Sequence, residues 1–128
     1  MRRLYLSVGL IALMAALSAL HVWHLNDLTG QLTAQLTQAQ ALAQQEDWDG
    51  AARLTRQAKE RWMGCEGYLH TTLRHADIDA ILISLDETLA FLEGSEKQPA
   101  EYAAANARLL AQLALLVEAE VPTLTNIL

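Results

Sequence analysis

The chain has 128 residues, of which 52% are hydrophobic and only 5% aromatic, and its formal net charge is −6. All fifteen acidic residues follow an N-terminal apolar segment, so the rest of the chain is acidic and would repel nucleic acids and anionic surfaces. The single cysteine, Cys65, excludes an internal disulfide and leaves only an intermolecular one open. Roughly 100 residues remain after the apolar segment, enough for one small domain.

The first element is the apolar segment from Leu4 to Trp23, which follows Arg2 and Arg3 and is free of charged residues up to Asp27. As a helix it would be about 30 Å long, which matches the hydrocarbon core of a bilayer. Because positive charges stay on the cytoplasmic side, the pattern predicts a single span in the cell membrane, a cytoplasmic N-terminus and an extracytoplasmic domain.

A cleaved signal peptide is the alternative interpretation of this segment. Ala16-Leu17-Ser18, before Ala19, has the small residues that a cleavage site requires. The apolar stretch is longer than a typical signal core, however, and helical periodicity resumes directly after it, which favours an uncleaved signal-anchor. We therefore predict a membrane anchor over residues 1–24 and a helical domain over residues 25–128, which lies outside the cytoplasm in either case.

The domain is patterned as amphipathic helices, with leucine and alanine recurring at spacings of three and four. The predicted helices span residues 25–46, 48–70, 75–93 and 99–120. Asp47 is placed to cap the second helix, Gly94 to stop the third and Pro99 to open the fourth, and Pro122 is expected to end the fourth. These features predict an all-α fold, in which an N-terminal transmembrane helix precedes a small bundle of three to four antiparallel helices.

Residue types that carry chemistry are present, but their spacing does not favour a catalytic or metal site. His70 and His75 are five residues apart and would point in different directions on a helix, while His75 and Asp79 have helical spacing but lack a third ligand. No nucleophile elbow, phosphate loop or Cys-His set occurs. We predict no cofactor and no enzymatic activity, and we expect His75 to be a buried or interfacial hydrogen-bonding residue.

Two further groups of residues are interpreted as structural. Trp62 is expected to pack in the core or at a turn rather than to serve as a ligand platform. Basic residues concentrate in the second helix, and they are expected to form a solvated face that pairs with acidic neighbours. This group consists of Arg53, Arg56, Lys59 and Arg61.

A family resemblance adds to this interpretation. The stretch after Trp62 carries His75-Ala76-Asp77-Ile78-Asp79 and closes with Asn126-Ile127-Leu128. With a short N-terminal anchor and this length, the chain resembles the bacterial domain-of-unknown-function family 4363 over nearly its whole length. The resemblance implies a single-anchor helical protein with no catalytic residues to carry over, and it points to a membrane-complex partner. The candidate structural or interaction residues are Trp62, His75, Asp77, Asp79, Asn126, Ile127 and Leu128.

The function predicted from these features is that of a non-enzymatic, membrane-anchored interaction module, an accessory subunit of a bacterial membrane complex. Its expected partners are the lipid bilayer and either an integral membrane protein or a second copy of the chain, with no nucleic acid. The alternative is an extracytoplasmic ligand-sensing helical domain. The sequence shows no second span and no cytoplasmic signalling part, which counts against that alternative.

Overall fold

The computed structural model describes residues 1–65 and 75–127, and it describes side chains as far as Ala119. This part of the chain is built from four α-helices and contains no strand, which confirms the predicted all-α class. The helices are α1 (Arg2–Gln44), α2 (Trp48–Gly64), α3 (His75–Glu93) and α4 (Pro99–Ile127).

Helix α1 is continuous over 43 residues and combines two environments. From Leu4 to Trp23 most of its large apolar side chains are exposed, and this part is long and apolar enough to span a membrane. Burial begins at Leu25, which is 0% exposed, and recurs at Leu28 and Leu32. The helix therefore passes from an exposed apolar segment into the protein core without a break or a linker.

The turn between α1 and α2 is closed by backbone and side-chain hydrogen bonds. The N–H of Glu46 donates to the carbonyl of Ala43 (3.0 Å), and the N–H of Asp47 donates to the carbonyl of Leu42 (2.9 Å). This is the Schellman pattern, in which Glu46 adopts the left-handed conformation (φ 63°) that glycine usually supplies. The Asp47 carboxylate then accepts from the Gly50 N–H (3.0 Å) and caps α2, as the sequence predicts.

Apolar side chains from all four helices pack together in two clusters. Each helix packs against two others: α1 and α3 both contact α2 and α4. The larger cluster contains Leu25, Leu28, Leu32, Leu36, Ala58, Trp62, Ile78, Ile81, Leu85, Leu109, Leu113 and Leu116. A smaller cluster contains Ala39, Ala43, Ala51, Ala52, Leu89, Leu92 and Tyr102. The small alanines in this second cluster allow the helices near the α1–α2 turn to approach closely.

The predicted helix ends differ from the observed ones in three places, of which the smallest is the end of α1 at Gln44 instead of residue 46. The expectation that Pro122 ends the last helix is wrong, because α4 continues to Ile127. A proline inside a helix lacks the N–H that would reach the carbonyl four residues earlier, here that of Glu118, but its backbone φ fits the helix, so the chain can continue with one bond fewer. Helix α2 ends at Gly64, and residues 66–70 of the predicted second helix lie outside the described residues.

Candidate functional site

A groove of about 460 Å³ lies between the first turns of α3 and the second half of α4. Its lining is mainly apolar, with one carboxylate and one amide: Asp77, Ala80, Ile81, Gln112, Leu115, Leu116 and Ala119. Leu115 is 62% exposed at this groove, although it is a large aliphatic residue. An open groove of this composition suits the apolar side chains of a partner better than the precise polar contacts of a catalytic site.

The histidine and acidic residues predicted from the sequence lie together at the start of α3. His75, Asp77 and Asp79 are all exposed, and only Asp77 lines the groove. Of the two alternatives expected for His75, buried or interfacial, its exposure excludes the first. His75 is the first residue of α3 and precedes the core stripe, which starts at Ile78. An interfacial role for His75 stays a prediction.

The remaining predicted residues are separated from this cluster in the chain and differ in environment. Trp62 is 0% exposed and belongs to the larger core cluster. Asn126 and Ile127 form the end of α4, and Leu128 lies outside the described residues. Within the described ranges, no group of three or more His, Cys, Asp or Glu residues is arranged to hold a metal ion.

Buried polar side chains link α1 to α4, and sequence reasoning did not identify them. Asn106 is 0% exposed, and its Nδ2 donates to the Leu36 carbonyl (3.2 Å) and to Gln40 Oε1 (3.0 Å). Its Oδ1 has no hydrogen-bond partner among the described residues. Tyr102 is 2% exposed, and burial raises the pKa of its hydroxyl to about 12. The signal that could have revealed both was their spacing of four, in phase with the core residue Leu109.

The basic face of α2 pairs with acidic residues of α3. Arg56 forms an ion pair with Glu93 (2.6 Å), and Lys59 forms one with Asp86 (2.5 Å), which supports the predicted pairing. The Arg61 guanidinium contacts a glutamine side chain of α1. Exposed pairs of this kind contribute at most about 1 kcal/mol each to stability. This surface is therefore occupied in holding helices together, and it does not form a free basic patch at these three residues.

These features define a class: an all-helical protein whose first helix is long and apolar enough to cross a membrane and continues directly into a packed core. The chain belongs to the family described as "Domain of unknown function (DUF4363)", whose family model matches residues 19–127. This match confirms the resemblance noted from the sequence. It begins within the apolar part of α1 and takes in the helices that follow. No curated protein and no solved structure matches the chain.

Proposed function

We propose that this protein is a membrane-anchored helical interaction module that serves as an accessory subunit of a membrane complex. In this proposal the first part of α1 spans the membrane with the N-terminus in the cytoplasm, because Arg2 and Arg3 precede the span and no Lys or Arg follows until Arg53. The rest of the chain forms an antiparallel four-helix bundle on the opposite side of the membrane.

Contacts between α1 and α4 support the antiparallel arrangement. Near the start of the α1 core stripe, Thr29 and Leu113 line the same groove. In the middle, Asn106 donates to the Leu36 carbonyl, and towards the end of α1, Ala43 and Tyr102 belong to one cluster. Residue numbers thus fall along α4 as they rise along α1, which is the pattern expected of two antiparallel helices.

The observation that carries the proposal is the continuity of α1. Its exposed apolar part ends at Trp23, and its fully buried core face starts at Leu25. A domain joined to its span by an unbroken helix has a fixed height and orientation above the membrane. Such a domain loses little orientational freedom when it binds a neighbouring integral membrane protein, which favours docking.

The groove between α3 and α4 is the proposed contact surface. Leu115, exposed at this groove, would fill an apolar recess or meet an apolar helix of the partner. A buried aliphatic anchor with a polar residue such as Asp77 at its edge is a common composition for a protein interface. The proposed partner is thus an integral membrane protein with an apolar surface close to the membrane.

The test is detergent extraction of the tagged full-length protein, followed by crosslinking and mass spectrometry. Leu115→Glu is the test variant, and Ile83→Glu is its matched control, because Ile83 is an equally exposed aliphatic residue (65%) that does not line the groove. We expect the wild type and the control to recover one reproducible integral membrane partner, and the Leu115 variant to recover it at least tenfold less. Recovery of the protein alone, as monomer or homodimer, would overturn the accessory-subunit proposal. A thermal-shift screen against metabolites would then test the sensing alternative.

A further inference from the structure

Helix α4 extends past the level of Leu25, the first fully buried residue of α1, towards the N-terminal end of α1. Asn106 fixes the relative height of the two helices through its hydrogen bonds to Leu36 and Gln40. Ile127, the end of α4, is 21 residues after Asn106, and Ala15 is 21 residues before Leu36. Because both helices rise by about 1.5 Å per residue, antiparallel pairing places Ile127 level with Ala15, inside the apolar part of α1.

The burial of α1 ends at the same level. Ala15, Ser18 and Val22 are half-buried and continue the face of Leu25 towards the N-terminus at spacings of three and four. Ala16, on another face of the same helix, is exposed. The core-facing stripe of α1 therefore extends into the apolar segment as far as Ala15, which is the depth that the backbone of α4 reaches by the register above.

The charge pattern agrees with this placement. Glu120 is the last charged residue of α4, and none of residues 121–128 is Asp, Glu, Lys or Arg. By the same register Glu120 is level with Val22, at the boundary of the apolar segment of α1. The nearest charged residue of α1 is Asp27, about 8 Å higher than Glu120 by this register, so both helices lose their charged residues within about 8 Å of each other in height, near the boundary of the apolar segment.

The proline of α4 lies close to this boundary as well. Pro122 leaves the Glu118 carbonyl without its usual helical donor, and the register places Glu118 level with His24, outside the apolar segment. A carbonyl at that height can accept a hydrogen bond from water or from a lipid headgroup, whereas one deeper in the hydrocarbon core needs the bilayer to thin locally before it can do so. The proline therefore occurs where its missing bond is easily replaced.

We infer that residues 121–127 of α4 enter the membrane beside the anchor and form a second, partial membrane segment. The segment reaches about 12 Å below the level of Trp23, less than half of a hydrocarbon core of about 30 Å. This inference rests on the proposed anchoring and antiparallel pairing. It adds that the end of the domain lies within the bilayer, where water and headgroups admitted by local thinning of the bilayer satisfy the free carbonyls of the last turn. The protein would then be held in the membrane by two helices.

The test measures the depth of single labels in the full chain, reconstituted in phosphatidylcholine vesicles that contain nitroxide-labelled lipids. In a Cys65→Ser background, a fluorophore is attached at Thr123→Cys or Thr125→Cys, two positions on different faces of the helix. Ala16→Cys is the control for the anchor at nearly the same depth, and Ala104→Cys is the control for an exposed position on α4 outside the membrane. Circular dichroism verifies that each labelled protein is folded.

We expect lipid quenching at both tail positions to be within twofold of that at Ala16 and several-fold above that at Ala104. Quenching at Thr123 and Thr125 that equals the Ala104 value, while Ala16 is quenched, would overturn the inference and leave the anchor intact. An unquenched label at Ala16 would overturn the anchoring itself and the inference with it. The two failures are therefore distinguishable.

Discussion

The buried amide of Asn106 provides the sharpest test of how α1 and α4 recognise each other. In Asn106→Leu, two hydrogen bonds from Nδ2 are lost, to the Leu36 carbonyl and to Gln40 Oε1. The Leu36 carbonyl also lies within α1, where it can keep its helical bond, and Gln40 is only half-buried, so its side chain can reach water. The substitution therefore leaves neither acceptor buried without a hydrogen-bond partner.

The expected change in the free energy of unfolding of Asn106→Leu is the sum of opposing contributions. Two lost hydrogen bonds cost about 2 kcal/mol in total. Removing the buried Oδ1, which has no partner among the described residues, recovers about 1–3 kcal/mol, and the leucine side chain adds apolar burial. We expect the free energy of unfolding of Asn106→Leu to lie within about 1 kcal/mol of the wild type. Asn106→Ala, which leaves a cavity at a fully buried position, should be at least about 2 kcal/mol less stable than the leucine variant.

The assay is urea unfolding of the full-length proteins in detergent micelles, followed by circular dichroism at several urea concentrations. A loss of about 3 kcal/mol or more in Asn106→Leu would refute this reasoning, because the amide bonds would then outweigh the cost of burying the amide. If stability is retained, the function of Asn106 is to fix the relative height of α1 and α4. Lipid quenching at position 125 should then become heterogeneous in the leucine variant.

Three further predictions concern the capped turn and the buried tyrosine, and thermal unfolding measures each of them. Gly30→Ala should stabilise the protein by about 1 kcal/mol, because a Cβ there meets nothing within 4 Å. Gly50→Ala should destabilise the protein, because its Cβ would collide with the capping carboxylate of Asp47. Equal effects of the two substitutions would refute the capping argument. Glu46→Gly should raise stability by about 1 kcal/mol by relieving the left-handed conformation, and a lower melting temperature would contradict this. The pKa of Tyr102 is raised to about 12, above its ordinary value of 10, so its contribution to stability is complete below pH 10 and is lost as the pH rises towards 12. Tyr102→Phe should abolish that alkaline loss without lowering stability at neutral pH, and a persisting loss would assign it to other groups.

Much of the helical architecture follows from local sequence patterns. The Asp47 cap, the end of α3 before Gly94 and the start of α4 at Pro99 all match the predicted positions, because each depends on backbone chemistry within a few residues. The predicted end of α4 was wrong because it does not depend on local backbone chemistry alone. Whether a helix continues through Pro122 depends on what surrounds the freed carbonyl, which local propensity does not describe.

The candidate site was less accessible to sequence reasoning. A groove between α3 and α4 exists only once the two helices are packed, so Leu115 looks in the sequence like another core leucine. Asn106 and Tyr102 were overlooked because polar residues are usually assigned to the surface. His75 was expected to be buried or interfacial, and because its place at the first position of α3 leaves it exposed, only the interfacial alternative stays a prediction.

The unbroken course of α1 has a mechanical consequence. In a bilayer, a span adjusts to hydrocarbon thickness by tilting, and tilts of about 20° are typical. The part of α1 after Trp23 is about 30 Å long, so a rigid change of this size would carry the α1–α2 turn sideways by about 10 Å. In the proposed anchoring, a tilt of the span would displace the far end of the domain more than the part next to the membrane. A partner that binds the domain at the α1–α2 turn would be displaced when the membrane thickness changes, and a partner that binds it near the membrane would not.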